Sequence, residues 1–289
     1  MGQAPVTQRP RLLAVDVDGT LLHGGRIDPA DRRALHRAAR DGITVCLCTG
    51  RSWPEVRTIW ESLALPAPHA PVVCVGGALV AEPDTDRTLY SRPFDRPAAA
   101  EVAEYMHQAG YPVMALVDAW REGFDYFLIG RYDGNPVYRR FFDGRELNIR
   151  RADALDAADG PRTLRVSVLD DHAPADRLLE RLRRDFAGRI ECQRVHLAHV
   201  DVHVVETFRA GTTKLSALIY IGQGLRVAPA AMAAIGDDHN DIPMLAGAGI
   251  SAAPADAPEQ VRQAARLTVA PRGQGGVAEF VEAILAAPR

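Results

Sequence analysis

Leu12-Leu13-Ala14-Val15-Asp16-Val17-Asp18-Gly19-Thr20 is the stretch whose reading decides how this chain folds. Its first four residues form a short, continuous apolar run ending in a β-branched side chain, which reads as a strand buried on both faces of a parallel sheet. Carboxylates follow where the strand should stop. In extended backbone, residues two apart share a side, so Asp16 and Asp18 are expected together at the strand's carboxyl end, where open α/β sheets bind ligands. Crowded carboxylates need a cation. Gly19 lets the backbone turn away, and Thr20 can bond the loop so that both acids keep one aim. An Asx-rich turn at a strand end is the plainer reading of the same residues.

Outward from this stretch, strands and helices alternate. Asp28-Pro29 caps and opens a helix with Ala30, Ala34, Leu35, Ala38 and Ala39 on one face. Residues 43–48 read as a second buried strand that runs straight into Thr49-Gly50-Arg51. Ser52 and Glu55 make a capping box, with Val56, Ile59, Trp60 and Leu63 at helical spacing behind it. Thr49 therefore stands between a strand's end and a helix's beginning, where its hydroxyl and the amides around Gly50 can hold a phosphate. A helix-entry threonine is the alternative. Residues 71–77 supply a third strand, and this order implies right-handed parallel crossovers in a doubly wound α/β sheet.

Beyond residue 82 the segments shorten and alternate, so 83–205 is predicted to be an inserted α+β domain on an open, largely antiparallel sheet. Helices are expected over 97–108, 135–142 and 174–186, and strands over 112–117, 124–129, 163–169, 190–196 and 201–205. Trp120, Tyr126, Phe127, Tyr132, Tyr138, Phe141 and Phe142 are assigned to its core. His196, His199 and His203 fit no zinc spacing and read as exposed histidines of an edge strand.

From 206 the earlier grammar returns, so 1–82 and 206–289 form one core domain. Gly211-Thr212-Thr213-Lys214 opens a helix expected to end near Gly222 and Gly224. A cation in a first turn opposes the helix dipole, so Lys214 signals either an anion nearby or a solvated surface lysine. Residues 231–235 read as a fourth buried strand, again ending in acids: Gly236-Asp237-Asp238-His239-Asn240-Asp241. If this strand lies beside the first, Asp237 faces Asp16 and Asp18 and completes an oxygen-ligand site suited to Mg²⁺. Asn240 and Asp241 would support those ligands through hydrogen bonds. His239 either touches substrate or is a solvated loop residue. Strands near 249–252 and 266–270 and a helix over 277–286 close the chain.

Composition bounds the partners. Among 289 residues, 34 basic and 37 acidic side chains leave a net charge of -3 with no run of like charge, so nucleic acid and acidic membranes are poor partners. Cys46, Cys48 and Cys74 lie in apolar runs and Cys192 stands apart, which suits reduced thiols rather than a disulfide framework. Residues 1–6 hold no apolar signal core, and no stretch approaches membrane-spanning length, so a cytoplasmic protein is expected. Oligomeric state is not legible.

Asp16-x-Asp18-Gly-Thr, Thr49-Gly-Arg51, Lys214 and Gly236-Asp237-x-x-Asn240-Asp241, in this order, resemble the motifs of the haloacid dehalogenase-like phosphatases. The insertion between the second and third motifs resembles the cap of the Cof-type, or class IIB, branch. The resemblance spans essentially the whole chain, tightly at the motifs and loosely in the cap. It implies a doubly wound, mostly parallel Rossmann-like core with an inserted α+β cap that closes over the site and reads the leaving group. It also implies hydrolysis of a small phosphorylated metabolite, sugar-phosphate-like, through an aspartyl-phosphate on Asp16. Asp18 would be the general acid and then base, lending the metal its backbone carbonyl, and Asp237 would hold Mg²⁺. Lys214, Thr49 and the amides near Gly50 would bind the phosphoryl oxygens, and Arg51 would either assist or form a structural ion pair. A phosphotransferase or mutase would share every motif, and a non-catalytic binding protein is the remaining alternative. The chain departs from the family pattern at Gly76-Gly77, where Asn-Gly is frequent, at Leu215 after the lysine, and at Ala255-Asp256-Ala257, where Gly-Asn-Ala is common.

Overall fold

A computed structural model describes residues 8–132, 134–144, 146–197 and 200–288. The residues 1–6 and His199 read above lie outside the described residues. The chain divides into two compact units, one made of Met1–Leu89 with Thr213–Arg289 and the other of Tyr90–Thr212.

Among the described residues, the main sheet of the first unit has eight strands. In chain order they are β1 (Leu12–Asp16), β2 (Thr44–Cys48), β3 (Val72–Cys74), β4 (Leu79–Glu82), β5 (Arg87–Ser91), β6 (Met232–Ile235), β7 (Ile250–Pro254) and β8 (Leu267–Val269). Their spatial order is β8-β7-β6-β1-β2-β3-β4-β5, with β1 in the middle. Six of them, from β8 to β3, run parallel, and β4 turns back antiparallel on β3. This is a doubly wound α/β sheet. β1 pairs with β6 so that Val15 lies beside Ile235, and with β2 so that Asp16 lies beside Cys48. Asp16, the Asp237 loop and Thr49 thus leave three adjacent strands at the same edge.

The helices follow the sequence signals. Asp28 caps α1 (Pro29–Arg40) by accepting from Ala30 N, and Ser52 with Glu55 closes a capping box on α2 (Trp53–Leu63). Thr213 caps α3 (Lys214–Leu225), which continues past both glycines expected to end it. Gly222 is there for packing, since a Cβ would stand 2.3 Å from Met232 Cε and 2.6 Å from the Val227 carbonyl. The helix stops instead at Arg226, in the left-handed conformation.

In the second unit the sheet order by residue range is Ile149–Ala152, Tyr126–Ile129, Val113–Val117, Thr163–Asp170, Val202–Arg209 and Ile190–Leu197. Only its first pair is parallel among the described residues. Helices Arg96–Gln108 and His172–Asp185 cover one face, burying Val102, Met106, Val166, Val168, Leu178 and Val205 in one core. A buried polar group also crosses this sheet: Arg165 reaches Glu206 at 2.5 Å and the Tyr126 hydroxyl at 3.0 Å, and Gln193 donates to Glu206 at 2.9 Å. Tyr126, Tyr138 and Phe141 are buried as expected, but Trp120 is 52% exposed. His203 is likewise not an exposed edge residue: it is 8% exposed, with His196 of the edge strand stacked on it at 4.4 Å.

Candidate active site

Four side chains meet at the carboxyl ends of β1 and β6. Lys214 is 1% exposed, and its Nζ donates to Asp16 Oδ1 and to Asp241 Oδ1, each at 2.6 Å. The lysine read as either an anion's partner or a surface residue is therefore the first. Asp237, beside them, accepts from Thr20 Oγ1 at 2.7 Å and from Arg272 Nε at 2.8 Å. One oxygen from each of Asp16, Asp237 and Asp241 lies within 4.8 Å of the others.

Local backbone explains how such charges are held. Asp241 Oδ2 accepts from the amides of Asp237 and Asp238 at 3.0 and 3.1 Å, so it folds the second acidic loop onto itself while its other oxygen faces Lys214. Gly19 has φ +92°, and a Cβ there would stand 2.2 Å from Asp237 Oδ2. No other residue fits that position on either count. At the start of α3, Gly77 (φ +103°) lies so close that a Cβ would be 2.1 Å from the Thr213 carbonyl. The Gly76-Gly77 turn thus seats the helix end that carries Lys214.

Three carboxylates share one ammonium and one guanidinium, and the titration of the site reflects that surplus. Burial first, and the Asp241 charge second, push the Asp16 carboxyl well above the usual range against the pull of Lys214. Asp237 is raised by the same two causes, with Thr20 and Arg272 opposing. Burial works against the Lys214 charge, but Asp16 and Asp241 together outweigh it and hold the ammonium above the ordinary lysine range. The lysine is thus charged, and the acids still lack positive charge. Asp16 Oδ2 is buried with no hydrogen-bond partner among the described residues. An unpaired buried oxygen in an all-carboxylate donor set fits a hard divalent cation such as Mg²⁺.

Asp18 is placed differently from Asp16. Its carboxylate, 47% exposed, is forked onto Arg51, with Nε–Oδ2 at 2.7 Å and Nη2–Oδ1 at 2.6 Å. The strand ends at Asp16, so the alternation that would put residues 16 and 18 on one side no longer operates. Its side chain stands outside the cluster of three, and Asp241, expected in a supporting role, stands inside it. Arg51 forms the ion pair that was one of its two readings.

Thr49 is fully buried, and its hydroxyl accepts from Arg51 N at 3.1 Å, using a lone pair and not its proton. Its own amide and carbonyl bond Val73 and Gly76, and half-buried Gly50 follows it. Asn240 Oδ1 is buried without a hydrogen-bond partner among the described residues. His239 is exposed and bonded to Asp238. Arg272 escaped the sequence reading, because it lies far along the chain in a loop with no motif of its own, and Asp256 was noted only as a departure from the family pattern. The unusual Asp256 was the one available signal.

A model of the haloacid dehalogenase-like hydrolases matches residues 13–281. The chain is 26% identical over 279 residues to the 5-amino-6-(5-phospho-D-ribitylamino)uracil phosphatase YitU of Bacillus subtilis, covering 95% of this chain and 97% of that one. A haloacid dehalogenase-like hydrolase from Bacteroides thetaiotaomicron superposes with a TM-score of 0.75 at 20% identity, over 96% of this chain and all (100%) of that one. A subclass IIB sugar phosphatase superposes with a TM-score of 0.72 at 18% identity, over 94% and 98%. The chain belongs to the haloacid dehalogenase-like hydrolases, as a phosphatase with the subclass IIB fold.

Proposed function

We infer that this protein is a Mg²⁺-dependent phosphomonoesterase acting on a sugar-phosphate-like metabolite through an aspartyl-phosphate intermediate. The observation that carries the reading is Asp16 itself: one oxygen is held by Lys214 at 2.6 Å while the other is buried and has no partner among the described residues. A nucleophile so oriented can attack phosphorus without first breaking a hydrogen bond. Asp16, Asp237 and a backbone carbonyl at Asp18 would hold Mg²⁺, which when bound supplies charge neutralisation between the anionic nucleophile and the anionic ester.

The remaining steps belong to the chain's own groups. Asp16 attacks phosphorus, the ester bond to the leaving oxygen breaks, and Asp18 gives that oxygen its proton. Asp18 then takes a proton from the water that hydrolyses the acyl phosphate. Arg51, forked on Asp18, aims the acid, and its bidentate grip must loosen as the proton moves. Lys214 and the Thr49 hydroxyl hold the phosphoryl oxygens as charge redistributes, with the amides near Gly50 beside them. Asp241 keeps Lys214 in place.

Phosphate release from a panel of sugar and other phosphomonoesters, with Mg²⁺ and with EDTA, tests the reading. Turnover that needs the metal and disappears in Asp16→Asn supports it; turnover that survives either change overturns it.

A further inference from the structure

Among the described residues of the three-carboxylate cluster, Asp237 alone has a donor from outside its own loop on both oxygens. Oδ1 takes the Thr20 hydroxyl, and Oδ2, the oxygen against Gly19, takes Arg272 Nε. A terminal nitrogen of Arg272 also reaches the Asp237 carbonyl at 3.1 Å. This guanidinium is held from its other side by Asp256. Arg272 N donates to Asp256 Oδ1 at 3.0 Å, Nη1 donates to the Asp256 carbonyl at 3.2 Å, and Nη1 lies 3.5 Å from Asp256 Oδ2. Arg272 therefore stands between a buried carboxylate, 7% exposed, and an open one, 46% exposed.

A guanidinium stays charged at every pH of interest, so it cannot yield to a cation by losing a proton. Like charges at one carboxylate repel, and in a buried site the repulsion is poorly screened. We propose that Arg272 is a competing counter-ion of the Asp237 carboxylate, and that Asp256 sets how strongly it competes by drawing the guanidinium the other way. Arg272 is a positioning residue here, acting on the reaction only through Asp237. The inference rests on the cation site proposed above.

The sign of the effect separates this role from simple support. A side chain that merely orients Asp237 loses cation affinity when removed, as partners of metal ligands generally do. A competitor gains it. The test is binding of Mn²⁺ alone to the metal-stripped full chain, read by electron paramagnetic resonance, with displacement by Mg²⁺. Arg272→Gln is expected to tighten binding about tenfold and Asp256→Asn to weaken it about tenfold, the scale on which partners of metal ligands act. In the Arg272→Gln background, Asp256→Asn should then change nothing.

Asp237→Asn is the control. If the wild type binds Mn²⁺, this variant does not, and Arg272→Gln is unchanged or weaker, the competition is overturned and the cation site stands. If the wild type binds no Mn²⁺, or Asp237→Asn binds it as well, the cation site falls and the competition with it. Should Arg272→Gln fail to fold, Asp256→Asn decides alone: weakened binding supports the proposal, and unchanged or tightened binding overturns it.

Discussion

Lys214 decides most at the scale of the residue. Its ammonium is closed off from water between Asp16 and Asp241, so removing it leaves two carboxylates buried without compensation. Breaking such a pair from one side costs about 3–5 kcal/mol. Lys214→Met should therefore lower stability by about that amount in denaturant titrations. It should also lower kcat about 10²–10³-fold, as loss of one preorganised donor does. Asp241→Asn, which keeps the loop bonds through its amide oxygen, should cost less stability. Gly19→Ala is expected to lose Mn²⁺ binding while the sheet still forms, because a Cβ there collides with Asp237 Oδ2. The sequence made Asp16, Thr49, Lys214 and Asp237 legible because each follows a short buried strand or opens a helix, and such ends are readable from local pattern. Whether Lys214 was buried depended on Asp241 in a distant loop. The placement of the Asp18 side chain was not legible for a related reason: residues two apart share a side only in extended backbone, and the strand ends at Asp16.

Elements introduce a pH dependence independent of the site. Asp31 on α1 is 2% exposed and accepts from the amide of Ala278, in the first turn of the last helix, Gly276–Leu285. Burial pushes its carboxyl from 3.8 up to about 6, against the Ala278 and Val277 amides, which favour the ionised form. Because the folded value lies above the unfolded one, its contribution to stability is complete below about 4 and is lost as pH climbs towards 6. Asp31→Asn keeps an acceptor for Ala278 and carries no charge. The variant's melting temperature should therefore rise relative to wild type between pH 4 and 6; a constant difference across that window would contradict the assignment. Helix starts were legible because caps and prolines act locally. The end of α3 was not, since Gly222 answers to Met232 and Val227 rather than to helix termination. β5 was missed because it lies at the sheet's edge, where a half-polar Arg-Thr-Leu-Tyr-Ser run lacks the apolar continuity of the central strands.

At the scale of the whole molecule, alternating strands and helices were enough to announce a doubly wound sheet, because parallel crossovers leave few topologies open. The antiparallel unit was legible as a change of rhythm, but not in its strand order, which non-local pairing decides. Tyr90–Thr212 carries its own hydrophobic core. Expressed alone, this segment is expected to unfold in one cooperative transition followed by circular dichroism; a non-cooperative melt would show that it depends on the rest of the chain. The central claim, however, is covalent. Single-turnover mixing of the Mg²⁺-loaded protein with a substrate found in the panel, quenched in acid and digested, should give the Asp16 peptide heavier by one phosphoryl group. That mass should vanish with hydroxylamine treatment and be absent in Asp16→Asn. Full turnover with no phosphorylated Asp16 peptide at any time, and a rate retained in Asp16→Asn, would contradict the account.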